Sequence, residues 1–150
     1  MISIALFEPE IPQNCGTILR FADCIGINVH IVEPCGFIFG GKQMKRAGLD
    51  YLNTAKYFLY KDIYAFLDFV DSQKLRLILA TTKSNTNYCD FQFKDNDIIM
   101  FGKESAGVTS ELQNLIQHKV CIKMQPNKRS INVAMSCAII LSEGIRQLKL

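Results

Sequence analysis

The 150-residue sequence contains no tryptophan and only two histidines, His30 and His118, which lie far apart in the chain. Its six cysteines are scattered without a C-x-x-C pair, so their spacing does not support a zinc site or a redox dithiol. We therefore expect reduced, mostly buried thiols and no bound metal. No apolar run approaches the length of a membrane span, and the first residues lack the basic region of a signal peptide, which predicts a cytoplasmic protein.

Several common ligand-binding and catalytic motifs are also missing. No G-x-G-x-x-G follows the first apolar segment, and Gly102-Lys103-Glu104-Ser105 lacks the glycine spacing and the terminal Lys-Ser/Thr pair of a P-loop. There is no G-x-S-x-G, and neither histidine has the sequence context of a catalytic triad. Dinucleotide, P-loop and acyl-transfer chemistry are therefore unsupported.

The composition fits one globular domain over residues 1–150, without a separate RNA-binding domain. Hydrophobic residues make up 49% of the chain and charged residues 21%, with no linker or low-complexity tract. The net charge of +3 permits a nucleic-acid partner but does not require one.

Short apolar segments alternate along the chain with stretches of helical period, which predicts an α/β fold with a parallel sheet and helices on both faces. Strands are expected at residues 2–7, 29–32, 75–80, 98–101 and 120–122. Helices are expected around residues 18–25, 63–70 and 112–116, and from Asn132 or Val133 toward Leu148. Asp62 is a plausible N-cap for the second helix, and Thr109 or Ser110 for the third.

The first half of the last predicted helix is apolar on nearly every side. Within residues 133–141 the only exception is Ser136. An outer helix of a small α/β domain normally keeps a solvated face, so this pattern favours a homodimer interface. The alternative is a central core helix.

Unusual residues follow the first predicted strand and the strand that ends at Phe101, and ligands of α/β sheets bind near such strand ends. After the first strand, Arg20 is flanked by apolar residues. It either extends its stem along them or binds a phosphate or carboxylate. After Phe101, Gly102 and Gly107 flank the acidic Glu104, which favours a ligand-binding loop that needs close backbone approach or positive φ.

A third unusual loop precedes the last helix. There the basic Lys128 and Arg129 stand beside two candidate caps of that helix, Ser130 and Asn132. Capping alone accounts for one of these residues and leaves the basic pair unexplained.

Taken together, the three loops resemble the three motifs of SPOUT methyltransferases. The matching segments are Asn14-x-Gly16-x-x-x-Arg20, Phe101-Gly102-x-Glu104-x-x-Gly107 and Ile122-x-Met124-x-Pro126-x-x-Arg129-Ser130-x-Asn132-Val133. Four further segments look most like the minimal branch that methylates the wobble ribose of tRNA: residues 6–14, 31–34, 46–51 and 81–83. This resemblance runs the full length of the chain.

The resemblance implies an RNA 2′-O-methyltransferase that transfers the methyl group of S-adenosylmethionine to the wobble cytidine or modified uridine of tRNA, leaving S-adenosylhomocysteine. It also implies a homodimer through the first and last helices and a deep trefoil knot in the C-terminal part, which physical reasoning alone would not propose because knots are nearly absent from proteins. The alternatives are a related enzyme acting on another tRNA or rRNA ribose, and a non-catalytic α/β module that binds nucleotide or RNA.

The same resemblance implies roles for individual residues. Arg20 is implicated beside the reacting hydroxyl, with Asn14, Asn132 and Ser130 organising the site; whether Arg20 takes the proton stays open, since arginine is always protonated. The implied cofactor-binding residues are Ala80, Thr81, Gly102, Glu104, Gly107, Ile122, Met124 and Ser130. Phosphate contacts with RNA are expected from Lys42, Lys45, Arg46, Lys128 and Arg129. The chain departs from the branch pattern at Leu52, Lys103, Ala106 and Ser142, which bears mainly on the choice of substrate.

Overall fold

The structure, a computed structural model, describes residues 1–42, 44 and 54–149. Within these residues the strands are β1 (Ser3–Phe7), β2 (Val29–Val32), β3 (Tyr57–Tyr60), β4 (Arg76–Ala80), β5 (Asp97–Phe101) and β6 (His118–Val120). The α-helices are α1 (Pro12–Ile25), α2 (Ile63–Ser72), α3 (Ser110–Leu115) and α4 (Val133–Leu148), and a 3₁₀ turn covers Tyr88–Asp90. Some residues singled out in the sequence lie outside the described residues: Lys45, residues 46–51 and Leu52.

All six strands form one parallel sheet in the order β3-β2-β1-β5-β4-β6, which confirms the predicted α/β class. Strand β1 lies between β2 and β5, with Ile4 opposite Val29 on one side and Ile99 on the other. The chain moves outward from β1 to β3 and then crosses to the far side of β1. The order therefore reverses at the centre of the sheet, where open α/β sheets bind ligands at the carboxyl ends of their strands.

Alternate residues of β1 pack against different helices, as a strand buried on both faces requires. Ile2, Ile4 and Leu6 belong to a core cluster that includes residues of α1 and α4. Ala5 and Phe7 point the other way, into a cluster with residues of α2 and α3. The helices therefore cover both faces of the sheet, as predicted.

The strand predictions missed one strand and displaced another. Strand β3, Tyr57–Tyr60, was not predicted, although its aromatic residues favour extended structure. The last strand was predicted at residues 120–122 but lies at His118–Val120, because His118, Lys119 and Val120 pair with β4. Beyond it, Cys121 makes only an isolated bridge to Asn87.

Side-chain caps define where three of the helices begin. Asp62 accepts a hydrogen bond from the Ala65 N–H (2.8 Å), as predicted. Of the alternatives left open, Thr109 rather than Ser110 caps α3, and Asn132 rather than Ser130 caps α4. Asn132 is suited to this because its side-chain oxygen reaches two free N–H groups of the first turn.

The last helix packs against both α1 and the sheet. Cys137, Ile140 and Leu141 are buried on its inner side, whereas Met135 is 60% exposed. In the isolated chain α4 is therefore an outer helix with an apolar residue in solvent, not a central core helix.

All six thiols are free; Cys15, Cys121 and Cys137 are buried, but Cys24 and Cys89 are exposed, so the expected burial holds for only half of them. Among the described residues, no helix is long and apolar enough to cross a membrane.

Candidate active site

A cavity of about 450 Å³ opens at the carboxyl ends of the central strands. Its walls come from the ends of β4 and β5, the loop that follows β6, the first turn of α4 and the beginning of α1. Residues 79–83, 101–108, 121–122, 124 and 130–133 form most of the lining. The cavity therefore lies where the reversal of strand order predicts a ligand site.

The loop after β5, residues 102–107, forms a tight turn that we call the cofactor turn, after the role that the sequence resemblance implies for it. Lys103 N–H donates to Gly107 O (3.1 Å), and Gly107 N–H donates back to Lys103 O (2.8 Å). A Cβ atom at Gly102 would lie 2.4 Å from the carbonyl carbon of Gly107, and Gly107 has a φ of +69°. Both glycines are thus required by the backbone, the first for close approach and the second for its left-handed conformation.

Three polar side chains link distant parts of the chain beside the cavity. Asn14 Nδ2 donates to Glu104 Oε1 (2.9 Å), and Asn132 Nδ2 donates to Asn14 Oδ1 (2.9 Å). Asn132 Oδ1 in turn accepts from the N–H groups of Ala134 (2.9 Å) and Met135 (3.3 Å). We call this the asparagine network. Because Asn14 donates with its nitrogen and accepts with its oxygen, the network fixes the orientation of its amide group.

The sequence-predicted cofactor residues converge on this cavity. All eight of them line it: Ala80, Thr81, Gly102, Glu104, Gly107, Ile122, Met124 and Ser130. Thr81 N–H donates to Val120 O (2.9 Å), and this hydrogen bond holds the ends of β4 and β6 together. The lining mixes apolar side chains with backbone polar groups, an arrangement that suits a flat, partly polar ligand.

Arg20 does not line the cavity formed by the described residues, whereas Asn14 and Asn132 do. Arg20 lies on the exposed side of α1, six residues after Asn14. Six residues correspond to about 600° of helical rotation, which is one full turn plus about 240°. Arg20 and Asn14 therefore project from different sides of the helix. The helix therefore directs Asn14 toward the cavity of its own chain and Arg20 elsewhere.

The residues expected to contact RNA are only partly described. Lys128 and Arg129 are exposed in the loop that also carries Ser130 at the cavity wall, and Lys42 is exposed but does not line the cavity. Lys45 and Arg46 lie outside the described residues. No group of three or more His, Cys, Asp or Glu residues within the described part of the chain is arranged to hold a metal ion.

Sequence reasoning missed several residues that line the cavity, among them Ile11, Gln113 and Ser136. Ile11 precedes α1 and falls within the segment 6–14 that resembles the minimal branch, but it was given no role there; Gln113 lies on α3 and stands in no motif. Ser136 carried a signal, as the only polar residue within residues 133–141. It lies one turn beyond Asn132, on the side of α4 that faces the cavity.

Comparison with known protein families identifies the family of the chain. The profile of the SpoU rRNA Methylase family matches residues 1–142, nearly the whole chain. The chain belongs to the SpoU rRNA Methylase family. The SPOUT resemblance drawn from the three loops is thereby confirmed, and the cavity between those loops is the candidate active site of a SpoU methylase.

Individual SpoU relatives resemble the chain over most of its length. A tRNA (cytidine(34)-2′-O)-methyltransferase from Beijerinckia indica is 40% identical over 144 residues, which cover 96% of this chain and 90% of that protein. A solved structure described as giving insight into the 2-OH methylation of C/U34 on tRNA has a TM-score of 0.92, 31% identity and coverage of 99% of this chain and 97% of its own.

A more distant SpoU structure supports the fold alone. The methyltransferase AviRb of Streptomyces viridochromogenes, solved with its cofactor AdoMet, has a TM-score of 0.87 at 22% identity. It covers 98% of this chain, but this chain covers only 57% of AviRb.

Proposed function

We propose that this SpoU methylase transfers the methyl group of S-adenosylmethionine to the ribose 2′-hydroxyl of nucleotide 34, the wobble position of tRNA. The observation that carries the proposal is the convergence of three motif loops on one cavity, in a chain 40% identical to a tRNA (cytidine(34)-2′-O)-methyltransferase over 96% of its length. The fold similarity to a structure concerned with methylation of C/U34 supports the same substrate.

The cavity suits S-adenosylmethionine. Its volume of about 450 Å³ lies in the range of small-molecule sites, and the close Gly102–Gly107 contact, which a side chain at Gly102 would open, shapes one of its walls. We propose that the eight predicted cofactor residues hold the ligand, largely through backbone groups and the apolar contacts of Ile122 and Met124. Bound there, S-adenosylmethionine supplies an electrophilic methyl group.

The reaction forms a bond between the ribose 2′-oxygen and the methyl carbon, breaks the carbon–sulfur bond and releases the hydroxyl proton. The protein must hold the hydroxyl in line with that bond and stabilise the charge that develops on the oxygen. We assign the second task to Arg20, whose planar guanidinium carries a permanent charge. The asparagine network, Asn14, Glu104 and Asn132, keeps the surrounding loops in place.

The position of Arg20 favours a homodimer. Arg20 projects away from the cavity of its own chain. Apolar side chains are also exposed on α4 and just before α1: Met135 is 60% exposed, and Ile11 is 42% exposed. We propose that α1 and α4 form the dimer interface and that Arg20 of each subunit serves the cavity of the other. Burial of these apolar residues would supply part of the association free energy.

The proposal also covers the domain organisation, the knot and the surface that contacts RNA. We expect one catalytic domain across these 150 residues, acting in the cytoplasm and containing the C-terminal trefoil knot that the resemblance implies. Lys128 and Arg129 next to the cavity are the described residues best placed to contact tRNA phosphates, and Lys42, Lys45 and Arg46 are proposed to extend that surface.

Mass-spectrometric mapping of methylated ribose tests the proposal. The purified protein is incubated with S-adenosylmethionine and tRNA, and we expect one 2′-O-methyl group at nucleotide 34. A matched tRNA with a 2′-deoxyribose at position 34 should accept none. Methylation of the deoxy substrate, or mapping of the methyl group to another ribose, would favour the related enzyme with a different target. Failure to bind the cofactor even with tRNA present would favour a non-catalytic module.

A further inference from the structure

Two glutamates that follow β1, Glu8 and Glu10, contact the cofactor turn. Lys103 Nζ lies 2.9 Å from Glu8 Oε2, and the Glu10 carboxylate accepts hydrogen bonds from Ser105 N–H (2.8 Å) and Ser105 Oγ (2.9 Å). The backbone N–H of Glu10 also donates to Glu104 Oε2 (2.9 Å). Three successive residues of the turn are therefore each bound to residues 8–10. We call Glu8 and Glu10 the acidic clamp.

Residues 8–10, which carry the clamp, are themselves bound to other parts of the chain. Glu8 has a φ of 45°, in the left-handed region that non-glycine residues rarely occupy, and its N–H donates to Val32 O (2.9 Å). Gly36 N–H donates to Pro9 O (2.9 Å), and a Cβ at Gly36 would lie 2.9 Å from the Cα of Glu10. Residues 8–10 are thus fixed to the end of β2 and the loop after it, so they provide a rigid support for the turn.

The two halves of the clamp differ in what they contribute. The Lys103–Glu8 pair is 29% and 26% exposed, and solvent screens ion pairs of this kind. Glu10 instead accepts two hydrogen bonds from a single residue, and these bonds hold its pKa below the usual value, so it is ionised at neutral pH. Because Ser105 is exposed at the tip of the turn, Glu10 restrains the part of the turn that is farthest from the sheet.

We propose that Glu10 is a positioning residue, which holds the tip of the cofactor turn against the start of α1 and so sets both the shape of the cofactor cavity and its alignment with that helix. This inference rests on the proposed function, since it assumes that the turn binds S-adenosylmethionine. Residue 10 is two positions before α1, so movement of the turn relative to Glu10 is movement relative to Asn14 as well.

Calorimetric titration with S-adenosylmethionine, together with turnover on tRNA, tests the role of Glu10. For Glu10→Ala we expect about tenfold weaker cofactor binding and a comparable fall in kcat, the scale of losing charge-assisted hydrogen bonds. Glu10→Gln should recover most of both, because its amide oxygen still accepts from Ser105 N–H. Asp68→Ala, which removes an exposed carboxylate on α2, serves as the control and should match the wild type.

A double-mutant cycle locates the effect at the contact. Ser105→Ala should weaken cofactor binding by about two- to threefold on its own and add nothing in the Glu10→Ala background, because the two residues act through one interaction. If Glu10→Ala fails to fold, Glu10→Gln and Ser105→Ala decide the question. Wild-type cofactor affinity in every folded variant would overturn the positioning role, whereas a wild-type protein that does not bind the cofactor would refute the proposed function itself.

Discussion

Two polar arrangements in this molecule are built in opposite ways. The asparagine network joins Asn14, Glu104 and Asn132 across as many as 118 sequence positions at the rim of the cavity. On β2, next to the edge strand β3, His30 is buried with Nδ1 2.9 Å from the Tyr60 hydroxyl and four aromatic rings around it. The first arrangement holds loops and leaves polar atoms near a ligand, whereas the second fills a core.

We expect the asparagine network to affect function and the buried His30 to affect stability. A side chain whose partners lie on loops at a cavity should affect ligand binding or turnover more than folding, because loops contribute little buried apolar surface. A side chain such as His30, which is 4% exposed, should affect folding without touching the reaction. The following variants test this division.

The largest effect is expected at Arg20. Arg20→Ala should lower methyl transfer by about three orders of magnitude, the scale of losing a charged group from a transition state. Cofactor affinity should be unchanged, because Arg20 does not line the cavity of its own described chain. Turnover assays and calorimetry on the same preparation measure both quantities.

Mixed dimers extend the Arg20 test. A dimer of one Arg20→Ala subunit and one subunit unable to bind cofactor should recover about half of the wild-type activity if the arginine acts across the interface. An inactive mixed dimer would show that each cavity uses its own Arg20. Retained turnover in the Arg20→Ala homodimer would remove this residue from the mechanism.

Gly102→Ala should weaken cofactor binding by about 100-fold or more, because its Cβ would meet the backbone of Gly107 at 2.4 Å and open the cofactor turn. Gly26→Ala is the matched control: Gly26 has a positive φ of 73° at the end of α1 but nothing within 4 Å of an added Cβ. It should cost about 1 kcal/mol of stability and leave cofactor binding unchanged. Equal affinity of Gly102→Ala and wild type would contradict the assignment of the turn.

His30 should make stability depend on pH. Burial lowers the pKa of His30 to about 4, from about 6.5 in an unfolded chain, so the folded protein holds the neutral form. Its contribution is fully present above pH 6.5 and is lost as the pH falls toward 4, by up to about 3 kcal/mol. Denaturant unfolding between pH 7 and 4 should show this slope, and His30→Phe should reduce it.

The control for this measurement is His118→Phe, which leaves His30 in place and should retain the slope. Turnover of His30→Phe near neutral pH should equal that of the wild type. A marked loss of activity in folded His30→Phe would contradict the prediction that His30 affects folding and not turnover.

The smallest effect is expected at Asn132, which both caps α4 and belongs to the asparagine network. Asn132→Ala removes the cap of α4 and the bond to Asn14, and should lower the free energy of unfolding by about 1 kcal/mol as well as reducing turnover. Asn132→Asp keeps an acceptor for the first turn but loses the donor to Asn14. It should therefore retain stability and have reduced turnover. Wild-type turnover of folded Asn132→Asp would show that the bond to Asn14 does not matter.

The parts of this architecture that local rules govern were accessible from the sequence. The alternation of apolar segments predicted the parallel sheet, and Asp62 was recognisable as a cap, because both depend on neighbouring residues. The two glycines of the cofactor turn were singled out for the steric reasons that the structure supplies. Strand β3 was missed because its Tyr57–Tyr60 run is short and only its pairing with β2 defines it.

What the sequence could not supply was the meeting of distant residues. Asn14 and Asn132 each stood in a motif, but nothing in the spacing of either motif indicated a hydrogen bond between them. The contact between Glu10 and Ser105 was equally hidden, since Glu10 read only as part of the loop after the first strand. Such pairs depend on the assembled sheet, in which β1 and β5 are neighbours although Phe7 and Asp97 are 90 positions apart in the sequence.

The bond between Asn14 and Asn132 also has a consequence for how the protein is made. Asn14 leaves the ribosome well before Asn132, which is synthesised with the helix that it caps only after all six described strands of the sheet. A nascent chain that stops before Asn132 lacks one wall of the cavity and one end of the asparagine network. We therefore expect truncated translation products to bind neither the methyl donor nor tRNA productively, so that unfinished chains do not compete with finished enzyme.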